Sequence, residues 1–158
     1  MQKITYKMAE PSDAQLVVDF MHKLGDFQQM SAAIIVTEEK MKTLLNEKAG
    51  EAIFAYDNGT PIAFAYFCQH SSAFIGEKAL YIDAFYVNEE YRKHGIGKNI
   101  MAKLAQICLE RKYARMEWGC LDWNKNAWDF YVKLGSVPFE ILTLHRLSGE
   151  NLINLAKE

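Results

Sequence analysis

A strand-length apolar run, a glycine-broken basic turn and an amphipathic helix follow one another between Leu80 and Glu110. This order constrains the fold more than any other stretch of the chain. Leu80-Tyr81-Ile82-Asp83-Ala84-Phe85-Tyr86-Val87 has the length and aromatic content of a buried strand. Arg92-Lys93-His94-Gly95-Ile96-Gly97 supplies the turn. Ile96, Ile100, Leu104, Ile107 and Cys108 then recur at the helical period, with Lys98, Asn99, Lys103, Gln106 and Glu110 on the other side. Two glycines at a helix start leave first-turn N–H groups uncovered, and the partial positive charge there suits a phosphate. Taken alone, the pattern also fits a simple turn and cap. The chain has neither the Walker lysine pattern nor a complete GxGxxG, which argues against a P-loop NTPase and a dinucleotide fold.

The flanking sequence determines what kind of sheet this unit enters. Lys3 to Met8 alternates like a half-buried strand. Ser12 with Gln15 resembles a capping box for a helix striped by Leu16, Val17, Phe20, Met21 and Leu24 and ended by Gly25. Asp26 to Val36 has no period and reads as a loop or a short helical turn over a pocket. Thr37 caps a second helix, with Met41, Leu44 and Leu45 facing inward and Gly50 near its end. Asp57-Asn58-Gly59 joins strands Glu51 to Tyr56 and Pro61 to Gln69, because Asn-Gly tolerates the positive φ of a tight hairpin. Ala114 to Leu121 reads as another strand. Asn124 caps a helix whose Ala127, Tyr131 and Leu134 share a face and which exits at Gly135. Val137 to Leu147 can supply one or two further strands, and Ser148 a cap for a short last helix. The expected class is α/β, more exactly an α+β mixed sheet. Antiparallel N-terminal strands precede a parallel pair, Leu80 to Val87 with Ala114 to Leu121, flanked by helices. Ligands collect where such parallel strands end and the helix begins.

Composition narrows the function. The 158 residues suit a single domain, residues 1–158, with an adequate core. A net charge of -2 gives no broad basic face for nucleic acid. No apolar run reaches membrane-spanning length, and the N-terminus lacks an apolar signal core, so a cytoplasmic protein is expected. Cys68, Cys108 and Cys120 lack paired spacing and read as reduced, buried thiols. His22, His70, His94 and His145 stand apart from one another and from the cysteines, so no metal is expected. Trp118, Trp123 and Trp128 read as core residues in preference to an ammonium cage.

Arg92, Gly95 and Gly97 also match the Arg/Gln-x-x-Gly-x-Gly/Ala pyrophosphate loop, and in this the chain resembles the GNAT acyl-CoA-dependent N-acetyltransferase superfamily. Leu80 to Asp83, Phe85 to Val87, Tyr91-Arg92, Trp123-Asn124 and Phe130-Tyr131 are similar to the diamine (spermidine/spermine and thialysine) branch, and the likeness spans nearly the whole chain. The resemblance implies the GNAT-like acyl-CoA N-acyltransferase fold with a splayed parallel pair. It also implies acetyl-CoA as co-substrate and a homodimer acting on a small-molecule amine. Backbone amides of Arg92, Lys93, His94, Gly95, Ile96, Gly97 and Lys98 would hold the CoA pyrophosphate. Phe85, Tyr86 and Val87 would pair with the pantetheine arm, and Asn124 would either contact CoA or cap its helix.

The chemistry needs one base and one acid, since an amine of pKa near ~10.4 must lose a proton and a thiolate of pKa near ~8.5 must leave. By resemblance Tyr131 is the acid and Asp83 the base, directly or through water. Asp83 also reads as a hydrogen-bond acceptor at a bulge, and burial there would raise its pKa. Departures from the branch concern the amine. Ala84 stands where a second carboxylate is expected, Phe27-Gln28 where a tyrosine-glutamate pair is, and His145 at a tryptophan position. Each missing carboxylate weakens the attraction for a polycation, which leaves Asp26, Asp83 and Glu117 as possible partners. The alternatives are acetylation of a protein lysine or N-terminus, and an acyl-CoA-binding module without turnover.

Overall fold

The computed structural model describes residues 3–157. They fall into two compact units that divide after Gly119. The first is a five-stranded sheet in the order β1-β2-β3-β4-β5, formed by Ile4–Met8, Glu51–Asp57, Thr60–Ser72, Glu77–Val87 and Arg115–Trp118. The first three pairings are antiparallel, and β4 with β5 is parallel, as the mixed-sheet expectation had it. The β2–β3 hairpin turns through Asn58 (φ 48°) and Gly59 (φ 85°), the left-handed pair that a two-residue turn demands.

Helices cover both faces. Residues 52, 54 and 56 of β2, 64 and 66 of β3, and 84 and 86 of β4 turn toward α1 (Ala14–Phe27) and α2 (Glu38–Asn46). There Phe20 lies 5.0 Å from the Phe64 ring and 5.9 Å from the Phe54 ring, at the centre of an apolar cluster with Val17, Leu24, Met41 and Leu45. The alternate residues, among them Phe67, Leu80 and Ile82, turn to the other face. That face takes the buried stripe Ile96, Ile100, Met101, Leu104 and Cys108 of α3 (Ile96–Glu110), which crosses from β4 to β5.

Several sequence expectations need correction. Gly25 does not end α1 but sits inside it, because its bare Cα lets the Ile34 side chain lie where a Cβ would stand, at 2.6 Å. The capping box belongs to Glu10 and Asp13, ahead of a 3-10 turn at Pro11–Asp13, and not to Ser12 and Gln15. Thr37 does cap α2, accepting the Lys40 N–H at 3.3 Å, but Leu44 faces solvent while Met41 and Leu45 are buried. Ser31–Ala33 forms the short helical turn allowed for in the aperiodic stretch. The last strand is shorter than expected, Arg115–Trp118.

Gly50 gives a first prediction. A Cβ there would overlap the Tyr66 hydroxyl and ring, and Tyr66 belongs to the α1–α2 cluster. Gly50→Ala is expected to cost ~1–3 kcal/mol by overpacking, read as a lower urea midpoint with an unchanged slope.

The second unit carries α4 (Lys125–Lys133) and α5 (Gly149–Leu155). Gly135, at φ 94°, follows the end of α4, and the Ser136 N–H donates to the Tyr131 carbonyl at 3.2 Å. Residues 137–147 form no strand, contrary to expectation. A strand needs a neighbour for its N–H and C=O groups, and among the described residues of this unit there is no other strand. Val137 and Ile141 are both 88% exposed.

Candidate active site

The glycine turn sits where the sheet opens. β4 and β5 pair only from Ala79↔Arg115 to Ile82↔Trp118, while β4 continues to Val87. Among the described residues no strand pairs with Asp83 to Val87 on the β5 side, so that edge can accept an extended ligand. A 3-10 turn, Glu89–Tyr91, leads on to the loop. It is pinned by the Asn88 N–H to the Ile62 carbonyl (2.9 Å) and by the Tyr91 hydroxyl to buried Asp57 (3.2 Å).

Within the loop, Lys93 (φ 65°) and Gly95 (φ 82°) are both left-handed, and Gly95 is the N-cap residue of α3. The Asn99 N–H bonds the Gly95 carbonyl at 3.0 Å. The N–H groups of Ile96, Gly97 and Lys98 therefore point off the helix end, unspent within it, which makes an anion cradle of backbone donors. Nothing stands within 4 Å of a Cβ built on Gly95, so the requirement there is conformational. Gly95→Ala should cost ~1–2 kcal/mol of left-handed strain, measured as a fall in melting temperature.

Lys93, His94 and Lys98 are exposed beside this cradle. Arg92 is not. Its guanidinium lies 4.6 Å from the Phe27 ring centre and 5.3 Å from that of Tyr86, and its Nε donates to the Val87 carbonyl at 2.9 Å. The Arg92 side chain therefore fastens the end of α1 to the end of β4, and its contribution to the cradle is its backbone. Phe27 closes α1 and Gln28 follows at its C-cap. Asp26 accepts a hydrogen bond from the Ser31 hydroxyl at 2.6 Å.

Asp83 is the extra residue of a β-bulge, since Tyr66 pairs with Ala84 and Phe67 with Ile82. The side chain is exposed, so the buried carboxylate considered from the sequence is not what this strand holds. Its negative charge is felt on one face of the sheet. The Tyr66 and Tyr81 phenols and the Cys68 thiol are raised above their ordinary values, first by burial and then by Asp83.

In the second unit, the Asn124 Oδ1 accepts the Ala127 N–H at 3.2 Å, so it caps α4, and its amide nitrogen is left over for a second partner. Burial, and then the neighbouring Cys120, push the Tyr131 phenol well above the ordinary tyrosine range. Such a group stays protonated and donates; it does not serve as a base. Of the cysteines, only Cys108 is fully buried, and Trp123, read as a core residue, is 56% exposed.

Sequence reasoning missed a cluster on the Asp83 face. Glu117 Oε2 lies 2.6 Å from His70 Nε2 and Glu117 Oε1 lies 2.9 Å from Arg115 Nε, while His70 meets the Tyr81 ring edge-on at 5.9 Å. These residues come from three strands, and only the register Cys68↔Tyr81↔Glu117 brings them together. Among the described residues, no group of three or more His, Cys, Asp or Glu is placed to hold a metal, and no helix is long and apolar enough to cross a membrane.

The acetyltransferase (GNAT) family profile matches residues 20–136. The chain is 28% identical over 121 residues to a thialysine N-epsilon-acetyltransferase of Caenorhabditis elegans, covering 77% of this chain and 75% of that protein. It is 22% identical over 193 aligned positions to an L-ornithine N5-acetyltransferase of Arabidopsis thaliana, covering 92% and 85%. Among solved structures, an integron cassette protein from the mobile metagenome of V. cholerae superposes with a TM-score of 0.80 at 21% identity, covering all of both chains. That likeness establishes the fold.

Proposed function

The chain belongs to the acetyltransferase (GNAT) family, and from that membership we propose that it transfers the acetyl group of acetyl-CoA to the primary amine of a small molecule. The observation that carries the reading is the junction of two features. A cradle of backbone N–H groups at Gly95 to Lys98 follows the stretch of β4, Phe85 to Val87, that no strand joins on the β5 side among the described residues. One suits a pyrophosphate, the other an extended amide chain, and CoA contains both.

In the reaction the neutral amine attacks the thioester carbonyl carbon, forming the C–N bond, and the C–S bond breaks. Asp83, solvated and without a cationic partner among the described residues, attracts the ammonium and passes its proton to water. Tyr131 gives its proton to the departing thiolate and regains one from solvent. No covalent enzyme intermediate is needed. The similarity to thialysine and ornithine acetyltransferases supports an amine acceptor. The working unit is a homodimer, a reading supported by the exposed apolar side chains of residues 137–147 and tested by light scattering of the purified chain.

The deciding experiment measures CoA release from acetyl-CoA across polyamines, lysine analogues, aminoglycosides and peptides. Turnover with a small amine is the expected result. Tight CoA binding with no release for any amine would leave only an acyl-CoA-binding module.

A further inference from the structure

The sheet face that carries Asp83 is electrically lopsided, and this bears on which amine it accepts. Three rows of side chains share the face, fixed by register. Tyr66 stands beside the Asp83 bulge, Cys68, Tyr81 and Glu117 form the next row, and His70 and Arg115 lie one step further on. Glu117 Oε1 is paired with Arg115 Nε at 2.9 Å, and His70 Nε2 lies 2.6 Å from Oε2. Glu117, a possible partner for a cation when judged from the sequence, is thus already paired with Arg115. Asp83 has no cationic partner among the described residues, so the face offers one free carboxylate, at one end. At the other end Arg115 spends only its Nε on Glu117 and has two further guanidinium nitrogens. Arg115 pairs with Ala79, four residues from Asp83, so the two ends lie about 13 Å apart along the strand at about 3.3 Å per residue. The arginine side chain shortens that span. Tyr81 and Cys68 line the interval.

We propose that Arg115, oriented by Glu117, reads a carboxylate on the acceptor, so that the substrate is an ω-amino acid of lysine or ornithine length and not a diamine or polyamine. The proposal rests on the acetyltransferase reading and assigns its selectivity. A single ammonium sits at Asp83, and the far end of the molecule meets Arg115. A diamine brings a second ammonium to the same place, where the remaining guanidinium N–H groups offer it no acceptor and Glu117 is already paired. A planar, always-charged guanidinium suits a carboxylate, and charge-assisted contacts of this kind discriminate well. Arg115 and Glu117 act as specificity residues; neither touches the thioester.

The test uses two matched pairs, lysine with cadaverine and ornithine with putrescine, which differ only in the carboxylate. For the unaltered chain, kcat/KM is expected to favour each amino acid over its diamine by about tenfold. Arg115→Gln unpairs Glu117 at the far end, so the preference should cross over, with amino-acid rates falling and diamine rates rising. Glu117→Gln frees Arg115 and should sharpen the preference for the amino acid. A merely structural role for the cluster would lower all four rates together. Equal or better turnover of the diamines by the unaltered chain overturns the proposal, as does a parallel loss in Arg115→Gln or a shift toward diamines in Glu117→Gln. Thermal stabilisation of the chain by lysine but not by cadaverine reads the same selectivity without turnover. Failure of every amine to release CoA, with that binding difference intact, would overturn the catalytic reading and leave the selectivity standing. Equal stabilisation by both would overturn the selectivity.

Discussion

Tyr131→Phe should lower kcat by about 10²–10⁴-fold and leave the affinity for CoA unchanged, as measured by steady-state turnover alongside calorimetric binding of CoA. The substitution removes one oxygen and keeps the ring, so the packing of α4 survives and the lost function is proton donation. The raised phenol pKa sets the pH dependence. A group with a raised pKa keeps its proton up to and beyond its ordinary value, here near ~10, and loses it only above that. In the unaltered protein, therefore, Tyr131 contributes no basic limb to kcat below pH ~10. Folding linkage has the same sign: stability is undiminished by this group below that range and is lost as pH rises through the raised value. An unchanged kcat in Tyr131→Phe would remove the residue from the acid role.

Phe20→Ala should be the most damaging single change to the fold, costing ~3–5 kcal/mol against a total of about 5–15 kcal/mol for a domain. Phe20 is 1% exposed and is the one α1 side chain whose ring meets Phe54, Phe64 and Tyr86, at 5.9, 5.0 and 6.5 Å. Its removal leaves a cavity between helix and sheet that rigid strand neighbours cannot close, and aromatic pairing of ~0.5–1.5 kcal/mol per contact is lost with it. The expected readout is a drop of roughly 10 °C in melting temperature, given about 2–4 °C per kcal/mol for a chain of this size. Because Tyr86 lies on the strand proposed to hold the pantetheine arm, CoA affinity should fall as well. A melting temperature within about 2 °C of the unaltered protein would mean that the core repacks around the gap.

The features legible in the sequence were those governed by local rules. The Asn58-Gly59 turn, the Thr37 and Asn124 caps, the α3 stripe and the glycine turn at its start each depend on residues a few positions apart, and each stands where it was read. What failed depended on distant contacts. Gly25 looks like a helix stop until Ile34 is seen lying against it. The packing of the Arg92 guanidinium on Phe27 and Tyr86 likewise has no local signal, while its backbone place in the loop does. Residues 137–147 have the composition of strands, but among the described residues their own unit has no other strand. Asp83 carried two readings, and the bulge between Tyr66 and Phe67 shows it exposed. The His70–Glu117–Arg115 cluster had no signal in the sequence, because its members lie on two strands 45 residues apart and meet only through the register.

The open β4 edge has a second consequence. The β4 edge from Asp83 to Val87, which no strand joins on the β5 side among the described residues, is as good a template for another unfolded chain as for a ligand, and open strand edges seed edge-to-edge aggregation. The bulge at Asp83 twists the strand at the point where pairing with β5 stops, and places an exposed charge there. Asp83 thus puts on that edge the kind of charge that opposes edge-to-edge pairing.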